Sequence, residues 1–407
     1  LIIKNTPMKD TEIKKLIQAE TIRQKKVINL IPSENYVSKD VLTALGSIFD
    51  NKYAEGYPHA RYYGGQENTD KLEILCQERA LKLFKLNKKD WHVNVQPLSG
   101  APANLSVYLA LVPQGGKIMG LPLSSGGHLS HGQKVSITGK VWQQIPIEIH
   151  ANTEMIDYEK MENDAKREKP NLIVVGFTAY PRVVDFKRCR DIADSCGAYL
   201  MVDMSHFAGL VAGEAYPSPF KYAHVVTTTT HKTLRGPRGA IIFSRLDKKV
   251  IDKNGKEQTI SNLIDKAIFP GLQGGPHMGQ VAGIAVALKE ANTPSFKKYA
   301  KQVIKNAKVL AEELSKKGFR IISQGTDSHL VLVDTYMDGK GIPGKIAEEK
   351  LEKAGIIVNK NTIPGEKRSP FDPSGIRMGT PAETTRGAKE KDMKKIAEKI
   401  FKVLKTN

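Results

Sequence analysis

His224-Val-Val-Thr-Thr-Thr-Thr-His231-Lys232-Thr-Leu-Arg-Gly-Pro-Arg238-Gly239 is the stretch on which the reading of this 407-residue chain turns. Its β-branched run reads as a strand buried on both faces, and the Gly-Pro pair that follows marks a turn. The strand therefore ends by presenting one lysine, Lys232, at the carboxyl edge of a sheet. An amine held there and partly desolvated is neutral often enough to form a Schiff base with an aldehyde. The plain alternative is an ordinary surface lysine.

Outward from this segment the same pattern repeats. Ala198 to Asp203 is a second apolar strand that ends in a carboxylate, followed by Met204, Ser205 and His206. Leu172 to Tyr180 and Ala240 to Phe243 complete the clearest strands, and from about residue 70 such strands alternate with helices. That alternation predicts an α/β fold with a largely parallel sheet covered on both faces. Ser99-Gly100-Ala101 stands between the strand His92 to Val95 and the apolar helix Ala103 to Leu111, at a helix N-terminus suited to an anion. Gly271 to Pro276 is a second glycine loop able to approach the same anion, or simply a tight turn. A Schiff-base lysine, a strand-end carboxylate and an anion cradle are the needs of pyridoxal phosphate: the carboxylate keeps the ring nitrogen protonated, so that the ring accepts electrons from a breaking bond. Taken alone, Asp203 would as readily be a helix cap or a metal ligand.

Residues 8 to 26 predict an amphipathic N-terminal helix carrying Ile13, Leu16 and Ile17, closed by the break at Asn29 to Pro32. Residues 296 to 317 place Phe296, Tyr299, Val303, Ala307, Leu310 and Leu314 on one face. Strand candidates Phe319 to Ile322 and His329 to Val333 follow, then a terminal helix with Met393, Ile396, Ile400 and Leu404. A chain this long exceeds what one core serves. The expected division is an arm at 1–30, a large domain at 31–290 and a small α+β domain at 291–407. The formal charge of +19 invites a nucleic-acid reading, but the lysines sit mainly on helix polar faces, as Lys297, Lys301 and Lys308 do. Cys76, Cys189 and Cys196 form no C-x-x-C pair, which argues against zinc, and no charged leader with a long apolar stretch stands at the start. A cytoplasmic protein without a metal is expected.

Three further segments carry chemistry. Asn51 to Tyr57 with Tyr62-Tyr63-Gly-Gly, and Ser125-Gly-Gly-His128-Leu-Ser-His131-Gly, are dense in polar and aromatic groups without core periodicity. His128 among glycines is able to lie on a cofactor ring, and Glu55 and the tyrosines offer acid and base groups. Arg377, after Gly375 in an apolar, turn-rich setting, suits an amino-acid carboxylate clamp or a structural ion pair.

Taken together, Leu30 to Asn35, Tyr53 to Tyr57, Arg61 to Gly65, Gly127-His128-Leu129, Val202-Asp203-Met204, Thr227 to Thr233 and Gly375-Ile-Arg377 resemble the serine hydroxymethyltransferase family, from about residue 10 to residue 400. The resemblance implies the aspartate-aminotransferase-like fold and transfer of the serine hydroxymethyl carbon to tetrahydrofolate, giving glycine. It implies that Lys232 carries pyridoxal 5'-phosphate as an aldimine, that Asp203 pairs with the ring nitrogen and that His128 stacks on the ring. Ser99, Gly100, Ala101, His206 and Thr178 would contact the cofactor, with His231 and Arg238 tuning the lysine. Arg377 and Ser33 would bind serine, and Glu55 and Tyr63 would serve proton transfer. Tyr53, Gly274 and Gly275 would reach the phosphate from a partner subunit, making a homodimer with shared sites. Leu123, Gly127, Leu129, Asn361, Ser369, Pro370 and Phe371 correspond to folate positions. The sequence departs from the family at Pro32, Ala101 and Thr178, and Leu246 to Ile260, with Asn254-Gly255, reads as a hairpin-like excursion. A threonine-aldolase-like or aminotransferase-like enzyme of the same fold is the alternative.

Overall fold

A computed structural model describes residues 8–251 and 255–405. Its centre is a seven-stranded sheet of β1 (Trp91–Asn94), β2 (Lys117–Gly120), β3 (Gln143–Pro146), β4 (Leu172–Gly176), β5 (Tyr199–Asp203), β6 (Val225–Thr229) and β7 (Ala240–Arg245). The strands lie in the order β1-β7-β6-β5-β4-β2-β3, and only β7 runs antiparallel to its neighbours. Every residue of β4 and β6 is buried, as the unbroken apolar and β-branched runs predict for a sheet covered on both faces.

The register brings the ends of three strands together. Gly176, Asp203 and Thr227 are paired across β4, β5 and β6. Gly176 has φ +152°, and a Cβ there would sit 2.2 Å from the Asp203 carbonyl oxygen. A side chain is excluded at that position, so β4 closes tightly on the strand end that displays Asp203.

Beyond the large sheet, β8 (Arg320–Ile321), β9 (Leu330–Asp334), β10 (Asn359–Asn361) and β11 (Gly375–Gly379) form an antiparallel sheet in the order β8-β9-β11-β10. Three principal hydrophobic cores result: a large core on one face of the main sheet, a second on its other face beneath the helix Gly100–Leu111, and a small-domain core joining the small sheet to the last helix, Glu390–Lys405. A single long helix, Pro294–Lys316, serves the first and the last of these. Thr293 caps it by accepting from the Phe296 N–H at 3.3 Å, and Pro294 stands in its first turn. Its Phe296, Tyr299 and Val303 enter the large core, while Ala307, Leu310 and Leu314 enter the small one.

The N-terminal helix, Thr11–Lys26, is capped by Asp10 and buries none of its residues. Ile13, Leu16, Ile17 and Ile22 are all exposed. The chain then anchors in the small domain: Ile28 and Asn29 pair in parallel with Ile356 and Ile357, and Leu30 is buried in that core. The Lys-rich excursion contains a hairpin in which Lys249–Ile251 pairs antiparallel with Glu257–Thr259. Asn254 lies outside the described residues. Arg377 stands in the middle of strand β11, which directly follows the turns at residues 370–374. Ile376 and Met378 point into the small core, which leaves Arg377 on the opposite face.

Candidate active site

A cavity of about 440 Å³ opens at the carboxyl ends of β4 to β6. It brings together Ser33, Ser99, Gly100, Ala101, His128, Thr178, Asp203, His206, His231, Lys232, Arg238 and Arg377. These come from the large domain and the small sheet.

The helix Gly100–Leu111 aims its N-terminus at this space. Ser99 precedes it in extended backbone, and its side chain makes no capping hydrogen bond. The first helical N–H groups thus stay available to an anion. A Cβ on Gly100 would lie 2.7 Å from Thr229 Cγ2, so glycine lets the helix start pack against the end of β6. Ala101 has a backbone N–H to give but no hydroxyl.

Asp203, the last residue of β5, is held by three donors. Ser205 N–H donates to Oδ1 at 3.0 Å, while Asn104 Nδ2 and His131 Nε2 reach Oδ2 at 2.8 and 3.2 Å. Burial works against the charge, but the His131 hydrogen bond together with Lys232 and His128 holds the carboxyl well below its usual range. Oδ1 keeps a lone pair for a further donor.

Asn104 links this carboxylate to His128. Its Nδ2 also donates to Ser130 Oγ at 2.9 Å, and its Oδ1 accepts from Thr227 Oγ1 at 2.7 Å. Ser130 in turn offers both its N–H, at 3.2 Å, and its hydroxyl, at 2.7 Å, to His128 Nδ1. That nitrogen is therefore an acceptor, and the imidazole carries its proton on Nε2. Burial and the neighbouring His131 lower the His128 pKa to about 4, so the ring is neutral.

Lys232 is buried, and its ammonium has no hydrogen-bond or ion-pair partner among the described residues. Burial brings its pKa down to about 8, with Asp203 opposing the shift and Arg377 and Arg238 adding to it. His231 beside it is driven to about 3 by burial and by the Lys232 charge. Arg377 is fixed from two sides: Asn359 Oδ1 accepts from Nε at 3.0 Å, and the Thr178 carbonyl accepts from Nη1 at 2.6 Å. Nη2 is left to point at a ligand. The Thr178 hydroxyl is turned away, donating to the Gly126 and Gly127 carbonyls at 3.2 and 3.0 Å.

The remaining candidates lie elsewhere. Tyr53 OH donates to Glu55 Oε1 at 3.2 Å, the Tyr63 ring meets the Tyr53 ring edge-on at 5.3 Å, and Gly274 and Gly275 face the same pair. Tyr53 and Tyr63 are exposed, Glu55 is half-buried, and the cluster does not line the Lys232 cavity. Gly127 and Leu123 are joined through their loop, and Thr362, next to Asn361, donates to the Leu123 carbonyl at 3.5 Å. Leu129 is exposed, and Ser369 to Phe371 form an exposed turn.

His131, Asn104, Asn359 and His329 were not picked out from the sequence. His131 had a visible signal, three residues after His128 in a glycine-rich stretch. The other three owe their place to pairings between distant segments.

Comparison with known proteins agrees with this geometry. A sequence model of the serine hydroxymethyltransferase family matches residues 6–400. The chain belongs to the serine hydroxymethyltransferase family. It is 50% identical over 408 residues to a probable cytosolic serine hydroxymethyltransferase of Schizosaccharomyces pombe, covering 98% of this chain and 87% of that one. The cytosolic serine hydroxymethyltransferase of Saccharomyces cerevisiae is 50% identical over 403 residues, covering 97% and 85%. That of Desulfotalea psychrophila is 52% identical over 384 residues, covering 94% and 86%. As a serine hydroxymethyltransferase, the chain is a transferase of the aspartate-aminotransferase-like fold that uses pyridoxal phosphate and tetrahydrofolate.

The residues present fit that cofactor: an uncapped helix start for the phosphate, a carboxylate with a spare lone pair, a neutral imidazole, and a buried amine without a partner. The amine also sets a pH dependence. Only its neutral form attacks a carbonyl, and that form predominates above the folded-state pKa of about 8. The rate at which cofactor-free protein captures pyridoxal phosphate should therefore climb with pH and level off above about 8. Stopped-flow absorbance measures it, and a rate that is flat from neutral to alkaline pH would contradict the assignment.

Proposed function

We propose that the cavity around Lys232 binds pyridoxal phosphate and serine together and that the named residues divide the hydroxymethyltransferase chemistry among them. The observation that carries this reading is the buried, unpartnered Lys232 amine sharing one cavity with the Asp203 carboxylate and the free edge of Arg377. When bound, pyridoxal phosphate supplies an electron sink for bond breaking at the substrate's α-carbon.

In this reading the N–H groups at Ser99 to Ala101 take the phosphate. Asp203 holds a proton on the ring nitrogen, and its depressed pKa keeps it anionic for that task. His128 lies against the ring as a neutral group, oriented by Ser130. Lys232, lowered to about 8, exchanges its proton near neutral pH and yields its place to the serine amine. Arg377 holds the serine carboxylate, with Ser33 beside it in the cavity wall. His231 and Arg238 adjust the lysine.

Tyr53, Glu55, Tyr63, Gly274 and Gly275 gather in a cluster of their own. We assign them to the cavity of a partner subunit, so that a homodimer shares its sites. Leu123, Gly127, Leu129, Asn361 and Ser369 to Phe371 are assigned to tetrahydrofolate. The separate core of the small sheet supports a division into a large and a small domain, and we place the bounds at 1–30 for the arm, 31–290 for the large domain and 291–407 for the small one. A cytoplasmic location is supported by the cytosolic label of several relatives, although one from Candida glabrata is labelled mitochondrial. No helix among the described residues is long and apolar enough to cross a membrane.

Serine cleavage should depend strongly on tetrahydrofolate. Cleavage that proceeds equally well without it would favour the threonine-aldolase-like alternative, and rapid half-transamination with a 2-oxo acid would favour an aminotransferase. Within the folate-dependent reaction Glu55 is the proton donor or relay. Glu55→Gln should reduce turnover by about 10²-fold, the usual worth of a positioned acid or base. Turnover near that of the unaltered protein would remove Glu55 from the mechanism.

A further inference from the structure

His206 and His329 form a buried pair that joins the two domains at the cavity wall. His206 follows strand β5 in the large domain, and its main-chain carbonyl accepts from Thr233 Oγ1 at 2.9 Å, next to Lys232. His329 immediately precedes β9 of the small sheet, whose partner strand β11 carries Arg377. His206 Nδ1 lies 3.1 Å from His329 Nε2. The ring planes differ by 27° with centroids 5.4 Å apart, so the two imidazoles meet edge to edge, nearly coplanar. This geometry suits one N–H···N hydrogen bond.

Both rings are neutral. Burial and the charge of Lys232 hold His206 well below its usual range, and burial together with Arg377 brings His329 to about 3. One proton is therefore shared between the facing nitrogens, and either ring could supply it. The far side of His329 decides which. Its Nδ1 is buried and has no hydrogen-bond partner among the described residues. A buried N–H without an acceptor is rarer and costlier than an unused lone pair. That nitrogen therefore bears the lone pair, and Nε2 bears the hydrogen that bonds to His206.

We propose that His329 is a positioning residue: by donating from Nε2 to His206 Nδ1 it fixes the tautomer in which His206 presents an Nε2 hydrogen to the cavity. His206 Nε2 has no protein partner among the described residues, and the residue lines the cavity with Arg377. The cavity then offers two convergent donors, one neutral and one cationic, to an anionic oxygen of the substrate carboxylate or the cofactor. With the opposite tautomer His206 would turn a lone pair toward that oxygen and repel it. The assignment of ligand rests on the function proposed above, whereas the tautomer is a property of the chain itself.

Histidine ¹⁵N spectra of the full-length protein, with and without pyridoxal phosphate, read the tautomer directly once His206 is assigned by comparison with His206→Asn. The proposal expects a protonated Nε2 in both states, and a protonated Nδ1 on His206 overturns it whatever the enzyme's activity. In kinetics, His329→Leu should raise the KM for serine roughly tenfold, the effect of losing one hydrogen bond to a charged group. His329→Gln, whose amide can replace the donor, should hold KM within about twofold. An unchanged KM in a folded His329→Leu protein also overturns the proposal, and if that variant does not fold the wild-type spectrum decides alone.

Discussion

Lys232→Ala should lower tetrahydrofolate-dependent serine cleavage by on the order of 10³- to 10⁴-fold while leaving the fold intact. The side chain is buried and its amine has no hydrogen-bond partner among the described residues, so its removal breaks no hydrogen bond described there. Two functions go with it. The protein loses its covalent hold on the cofactor, and it loses an amine with a pKa near 8 that gives and takes protons close to the working pH. Residual activity should come from binding and electrostatics alone, because Asp203, Arg377 and the helix start at Gly100 remain. The checks are steady-state turnover, the cofactor content after gel filtration, and far-ultraviolet circular dichroism. Activity within tenfold of the unaltered protein, with the cofactor still retained, would falsify the role given to Lys232.

Asp203→Asn should reduce turnover by on the order of 10³-fold, the upper range for losing one preorganised electrostatic group. The reason lies in the donors around it. Asn104 Nδ2 and His131 Nε2 both point at Oδ2, so an amide must place its oxygen there. Its NH₂ then replaces Oδ1, facing the Ser205 N–H, and offers a donor where a protonated ring nitrogen needs an acceptor. The variant should still take up pyridoxal phosphate through Lys232 and the helix start, but reaction at the α-carbon should slow. Uptake by absorbance and turnover by folate-coupled assay separate the two effects. Equal loss of both, or loss of neither, would count against the assignment.

Much of this site was legible because the informative residues end apolar runs. Asp203 closes Tyr199–Asp203, and Lys232 follows the β-branched stretch of Val225–Thr229, so strand ends could be located and their side chains noticed. Arg377 was noticed as a clamp candidate after a turn-rich stretch, and its place in a strand comes from Ile376 and Met378, which alternate with it toward the small core. Asn104 and Asn359 could not be recognised that way. Asn104 looks like one more helical residue until helix packing sets it between Asp203 and Ser130. Asn359 acquires its role from cross-strand register, directly opposite Arg377. Single-sequence patterns carry periodicity and termini, whereas these two placements arise only when segments more than 15 residues apart are brought together.

The anchoring of Ile28 to Leu30 in the small domain has a consequence for biosynthesis. Leu30 shares its core with Ile400 and Leu404, so a segment made early waits for one made near the end. At about 5–20 residues per second on the ribosome, that wait is on the order of tens of seconds. The residues of the large core, running from Ala54 to Leu330, emerge sooner, and that half can close first. Arg377 then docks onto it late, which makes completion of the substrate pocket among the last events in the life of the nascent polypeptide.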